Sequence, residues 1–344
     1  MGRSLLVGAW LLLSACNADR ILAFARPGAG GARGNGGSAG GNPNGAGGSQ
    51  PGAGGTSSGA GGSSSGAGGS PSDAGGNPSD ASQGPSFGPA QIVTGLRSDT
   101  DDVQDPALTF EELEIYFTSP TAGQNDIWVS RRTVASDPWG PSTLVAEVSS
   151  PQNDQGAEIS VDGLLMFLAS DRGGAGMRIY VSQRRTRDTP WGTPALIDTL
   201  GTSALDEAPA LDRSQLNLVF ASRRGTAGFS HLFTATRPDA SAAWRSATEI
   251  TALSSAWEDT DPALFTDASG LVFASRRLTQ GGTTDLFLAT RPNASAPFAS
   301  LAPITALNTA FNEEGPWMSQ DGKHILFVSD RSGRSRIYEA WRTY

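Results

Sequence analysis

The sequence predicts an all-β fold, a five-bladed β-propeller of four-stranded antiparallel blades, and three observations carry that expectation. The first is a repeat. A Pro-Ala-Leu step opens at Pro106, Ala157, Pro209, Pro262 and Pro316, with spacings of 51, 52, 53 and 54 residues. An aromatic marker at Phe87, Trp139, Trp191, Trp244 and Phe298 drifts in the same way, through 52, 52, 53 and 54. Two markers with one drift mean five copies of one unit. The second is that each unit contains four short strand-like runs, and no long stretch shows an apolar period of 3.6. The third is that one run per unit is apolar at consecutive positions, which belongs to strands covered on both faces. Small sheets stacked radially cover each other in this way, and four strands per repeat is the propeller pattern. Six blades with one degenerate unit is the alternative count.

The elements follow in order along each unit. A strand follows the aromatic marker, as in Gln91-Ile-Val, Thr143-Leu-Val, Ala195-Leu-Ile, Glu249-Ile-Thr and Pro303-Ile-Thr. The Pro-Ala-Leu step opens the next. A turn then carries Asp162-Gly163 or Asp321-Gly322, a strong hairpin signal. The consecutive apolar run comes third, as in Leu218-Val-Phe-Ala and Leu271-Val-Phe-Ala, and Leu286-Phe-Leu or Ile337-Tyr-Glu marks the fourth. The array starts with a strand lacking its own blade and finishes one strand short. Pairing residues 90–96 with 336–342 closes the ring and removes both exposed edges.

The first 85 residues read differently. Residues 1–16 form a targeting segment, with Arg3 as a short positive region and Leu5 to Leu13 as an apolar stretch too short to span a bilayer as a helix. It ends Leu13-Ser14-Ala15-Cys16, which resembles the lipobox of bacterial lipoproteins. The resemblance implies that Cys16 is lipidated and becomes the mature N-terminus. Asn17, where the inner-membrane retention signal has Asp, implies outer-membrane placement. Residues 17–85 are dominated by Gly, Ser, Ala, Asn and Pro and have too little apolar surface to offset ordering, so a disordered tether is expected. Its stretch from Pro27 to Pro85 has a random-coil span of roughly 40–45 Å. Residues 86–344 then form the propeller. Cys16 is the only cysteine, so the folded part holds no disulfide.

The repeat also resembles the units of TolB-type periplasmic propellers. The matching residues are Ser170-Asp171-Arg172, Ser222-Arg223-Arg224 and Ser329-Asp330-Arg331, each followed by a Gly-rich turn. The resemblance spans about residues 86–344 and implies the propeller fold and an envelope address. It departs in having five units and a tether, where TolB has six blades and an added N-terminal domain.

Candidate chemistry centres on acids near the Pro-Ala-Leu strand: Asp102, Asp105, Asp154, Glu158, Asp206, Glu207, Asp259, Asp261, Glu313 and Glu314. If that strand is innermost, these carboxylates ring one mouth of the channel and focus a negative field suited to a cation, a basic peptide or a sugar. The competing reading is framework: each acid caps a turn or pairs with Arg172, Arg223, Arg276 or Arg331. Unit one, with Asp99, Asp101, Asp102 and Asp105 crowded before Pro106, departs most from the pattern. Arg132, Arg185, Arg237, Arg291 and Arg342 are assigned to pairing between blades, and the aromatic markers to wedges there.

The functional expectation is a lipid-anchored, monomeric envelope module that binds or scaffolds a protein or polysaccharide. One alternative is a glycoside-active enzyme using a channel pair such as Asp105 and Glu158. The other is a ring stabilised by Ca²⁺, with no further cofactor expected. A net charge of −9 with no basic face excludes nucleic acid as a partner. Only two histidines, His231 and His324, are present, and no Ser-His-Asp set, His pair or Cys cluster assembles from them.

Overall fold

The computed structural model describes residues 86–97, 101–201, 204–225, 228–265, 267–319 and 321–343. Residues 1–85, with the targeting segment, Cys16 and the tether, lie outside the described residues, as does Asp99. The rest forms twenty strands. Strand β1 (Gln91–Ile92) comes first. Blade one follows as β2 (Gln104–Leu108), β3 (Glu114–Thr121), β4 (Gln124–Arg131) and β5 (Thr143–Leu144). Blade two is β6 (Asp154–Ile159), β7 (Leu165–Ser170), β8 (Arg178–Gln183) and β9 (Ala195–Leu196). Blade three is β10 (Asp206–Leu211), β11 (Asn217–Ser222), β12 (His231–Thr236) and β13 (Thr248–Glu249). Blade four is β14 (Asp259–Leu264), β15 (Gly270–Ser275), β16 (Asp285–Thr290) and β17 (Ser300–Pro303). Blade five is β18 (Glu313–Met318), β19 (His324–Ser329) and β20 (Arg336–Trp341).

Each blade is one antiparallel four-stranded sheet, and blade five takes β1 as its outer strand. Gln91 pairs with Glu339 and Ile92 with Tyr338, and Val93 N donates to Ile337 O at 2.9 Å. The predicted closure is therefore the observed one, and the count is five.

Five apolar clusters hold the ring, one at each blade-to-blade seam. In β19, Ile325 and Phe327 enter the seam with blade four, while Leu326 and Val328 enter the seam with blade one. That alternation explains why β19 is apolar without interruption: neither face meets water. Fully burying each such side chain contributes about 1.5–3 kcal/mol. The markers are seam wedges, as expected. Trp191 of blade two packs edge-on against Tyr116 of blade one at 6.1 Å, and Trp244 of blade three against Phe167 of blade two at 6.2 Å.

The innermost strands β2, β6, β10, β14 and β18 share one irregularity. Each breaks register with its neighbour in the middle. The residue in the break has a positive φ in every blade: Asp105 at 47°, Gly156 at 61°, Ala208 at 49°, Asp261 at 49° and Gly315 at 52°. A left-handed residue costs about 1 kcal/mol where it is not glycine. Four blades follow it with proline, tolerated because the free edge of an innermost strand needs no N–H for pairing. The bulge decides which side chains reach the channel.

Candidate functional site

The ten predicted acids fall into distinct registers of the inner strand. At its first residue stand Asp154, Asp206, Asp259 and Glu313, all essentially inaccessible to solvent. Each is clamped by its own blade. Asp259 Oδ1 accepts from Ser275 Oγ at 2.6 Å and Arg277 Nη2 at 2.5 Å, while its Oδ2 accepts from Ser255 N at 2.8 Å. Asp206 is held by Ser222 and Arg224, both at 2.6 Å. Arg172 holds Asp154 at 2.5 Å, and Glu313 takes Ser329 at 2.8 Å and Arg331 at 3.0 Å. These arginines also donate to carbonyls of the preceding turn, at Val148, Leu200, Leu253 and Leu307. In blades three and four the clamp uses the second arginine of Ser-Arg-Arg. Arg223 and Arg276 turn instead to Glu258, at 2.8 and 3.6 Å. Blade one has Val103 at this register and no clamp; Ser119 Oγ donates to the Asp102 carbonyl at 2.7 Å, leaving the Asp102 side chain half-buried.

The second and third registers supply the channel. Asp105 and Asp261 line a narrow central cavity of about 40 Å³, lined from all five blades. Burial raises the Asp105 carboxyl, and hydrogen bonds from Thr118 and Gly156 pull it back in part. Burial and then the fields of Asp105, Glu314 and Glu207 raise Asp261 well above the usual carboxylate range. Glu207 and Glu314 are raised as well, by burial first and by neighbouring acids. The channel therefore holds carboxyls that resist ionising together.

The fifth register is where the blades disagree. Ala107, Ala210 and Ala263 occupy it in blades one, three and four, but blade two has Glu158 and blade five has Trp317. Both line the narrow cavity, and both also line a wider one of about 390 Å³ at the mouth where the inner strands end. Burial pushes the Glu158 carboxyl up to about 8, offset only in part by the Leu211 N–H, which donates to it at 3.3 Å. Trp317 is half-buried and packs against apolar side chains of two seams, the blade one–two seam and the blade five–one seam. Phe110, Glu112, Asp212, Arg213 and Asp321 form the rim.

Trp317 was not among the sequence candidates. Aligning the residue after each Pro-Ala-Leu proline would have found it, because it breaks a run of alanines. Both histidines open strands. His231 Nδ1 lies 2.8 Å from Glu249, and His324 lies between Glu112 at 3.3 Å and Glu339 at 3.2 Å. Burial lowers His324, but those two carboxylates more than reverse this and push it up to about 9. The arginine stacked on the marker is Arg132, Arg184, Arg237 and Arg291 in successive blades, at 4.1, 4.3, 4.4 and 4.5 Å from the ring centre. In blade two this corrects the expected Arg185, which is exposed. Arg132, Arg237 and Arg291 each donate to a carbonyl of their own blade, and only Arg184 also crosses a seam, to Glu114 at 3.0 Å. Among the described residues, no group of three or more His, Cys, Asp or Glu side chains is arranged to hold a metal ion, and no helix is long and apolar enough to cross a membrane.

No protein-family model matches the chain, and no curated protein matches it. Solved structures do. A thermostable family-43 glycoside hydrolase shares 9% identity over 74% of this chain and 93% of that one, with a TM-score of 0.52. An alpha-L-arabinofuranosidase from Podospora anserina shares 10% over 74% and 95%, with a TM-score of 0.50. A putative TolB from Agrobacterium tumefaciens shares 16% over 67% and 70%, with a TM-score of 0.44. Identities this low speak for the fold alone, and the twenty strands in five four-stranded sheets make it a five-bladed β-propeller.

Proposed function

We propose that this chain is a lipid-anchored module of the cell envelope that binds a protein or polysaccharide at a propeller face. Cys16 carries the anchor in the outer membrane, and residues 17–85 hold the ring away from it. The observation that supports binding over catalysis is the fate of the acids. Asp154, Asp206, Asp259 and Glu313 are spent on blade clamps, and the channel narrows to about 40 Å³ between its remaining carboxyls. That volume admits a few waters and no saccharide ring, and of the candidate pair Asp105 and Glu158 the wider cavity at the mouth is lined by Glu158 and not by Asp105. A glycosidase needs two carboxylates flanking an accommodated bond. The ring offers faces and a pocket instead.

The test is capture from envelope extract with the full chain as bait. A specific protein or glycan retained by the bait and absent from a bait-free control is expected; recovery of neither overturns the reading. A parallel screen for reducing ends released from polysaccharides tests the enzymatic alternative. Release above the level of Asp105→Asn and Glu158→Gln controls would replace the binding role with glycoside hydrolysis.

A further inference from the structure

We propose that the cavity floored by Glu158 and Trp317 is a binding site for the terminal ring of a neutral saccharide. The proposal rests on the binding-module reading and gives it a ligand class. Its starting point is the repeat. A residue present in every blade serves the blade; Glu158 and Trp317 are present in one blade each, at one register, and they meet in one cavity. The blade itself does not require them, since three blades are built with alanine there, although Trp317 also fills space between two seams.

The shape sets the size of the ligand. About 390 Å³ falls within the range of small-molecule pockets, roughly 300–1,000 Å³, and suits one or two sugar rings. Beyond Glu158 and Trp317 only about 40 Å³ remains. The pocket is therefore blind, and it takes a chain end rather than a chain passing through.

The walls set the chemistry. Leu108, Ile159, Leu211, Leu264 and Met318 with the Trp317 ring make an apolar lining, which suits the C–H face of a pyranose. The rim carboxylates are already engaged. Glu112 lies near Arg132 at 3.7 Å and His324 at 3.3 Å. Asp321 meets Lys323 at 3.3 Å, and Asp212 accepts from Ser214 Oγ, Leu216 N and Asn217 N within 3.0 Å. Glu158 itself faces the Leu211 N–H of β10 and shares the cavity with Trp317 of β18; the cavity's other titratable groups are Glu112, Asp212, Arg213 and Asp321, and Asp105 of β2 and Asp261 of β14 share the narrow cavity beneath it. Burial keeps its proton on at neutral pH. A cation would have to strip that proton before Glu158 could pair with it. An anion would meet the rim acids. A purely apolar guest would leave the Glu158 O–H without an acceptor. A hydroxylated neutral ring satisfies both the carboxyl and the aromatic face.

The experiment is calorimetric titration of the full chain with glucose, galactose, N-acetylglucosamine and their β-linked disaccharides. Millimolar binding of at least one sugar is expected. Trp317→Ala and Glu158→Ala, which restore the alanine of the other blades, should each weaken it about tenfold or more while the far-UV circular dichroism stays unchanged. Wild-type affinity should fall as pH rises through about 8, where Glu158 loses its donor, and Glu158→Gln should hold its affinity across that range. Absence of saturable binding for every sugar, or binding undiminished in Trp317→Ala, overturns the proposal. So does tighter binding of a lysine- or arginine-bearing tripeptide that strengthens above pH 8, which would make the pocket a cation site. An envelope partner still captured by Trp317→Ala leaves the module standing and removes the pocket from it.

Discussion

The clamp in blade four allows a sharp test of how the ring is held. Asp259 is inaccessible to solvent, Arg277 is 17% exposed in its side chain, and the pair meets at 2.5 Å. Arg277→Thr removes the charge partner together with donors to Ser275 and the Leu253 carbonyl. Breaking a buried pair costs about 3–5 kcal/mol, because the remaining charge is left desolvated. Asp259→Val strands the guanidinium instead and should cost a similar amount. The double variant is different, since Val103 and Thr121 occupy these two registers in blade one, where the blade forms without a clamp. It should cost about 3 kcal/mol or less, against a sum of about 6–10, which is a coupling of about 3 kcal/mol or more. The assay is urea denaturation of the full chain, with thermal midpoints as a second readout. At about 2–4 °C per kcal/mol for a domain of this size, each single variant should melt roughly 6–20 °C early. A double variant costing the sum of the singles would refute the idea that the clamp works as one replaceable unit.

Three further outcomes follow from the geometry. His324, raised from 6.5 to about 9 by Glu112 and Glu339, stabilises the seam fully below its unfolded value and loses that contribution as pH rises through about 9; at 1.36 kcal/mol per unit this is about 3 kcal/mol, absent from His324→Gln in denaturation at pH 6 and pH 10. Ala208 sits at φ 49°, so Ala208→Gly should raise the urea midpoint by about 0.5–1 kcal/mol equivalent, whereas a loss would mean the left-handed bulge is not strained there. Thermal unfolding with Ca²⁺ and with EDTA should coincide, because among the described residues no group of three or more carboxylates or histidines is arranged to hold a cation; a midpoint several degrees higher with Ca²⁺ would show a bound cation.

The architecture was legible because repetition multiplies a weak signal. One short strand such as Leu218 to Ala221 is ambiguous alone, but five copies with matching drift fix blade number, strand order and closure. The acids were harder. Side chains alternate sides along a strand, so a one-residue difference in register changes what a carboxyl meets. Asp259 is locked into the blade, while Asp261, two residues on, sits in the bulge itself and faces the channel. Nothing in the composition announces that bulge: Asp105, Gly156, Ala208, Asp261 and Gly315 share a conformation and no side chain. The same sensitivity separates Arg224 from Arg223 and Arg184 from Arg185. Trp317 follows the proline that defines the repeat, and its significance lies only in the alanines it replaces.

Glu158 is where the framework and the pocket make opposing demands, and that opposition can be measured. Its carboxyl is raised from 4.5 to about 8, so the folded state keeps a proton that the unfolded chain has lost. The proton's contribution is complete below 4.5 and disappears as pH climbs through about 8. Across that window the shift corresponds to roughly 5 kcal/mol. Glu158→Gln has no proton to lose. It should match wild type at pH 4 and exceed it by that margin at pH 9, read as the difference in urea midpoints. A blade with alanine at this register avoids the penalty, so blade two is destabilised for a reason its own packing does not supply. Coincident pH profiles for the two proteins would mean that Glu158 is ionised in the folded ring at neutral pH. The pocket would then be charged, and a neutral sugar would be the wrong guest for it.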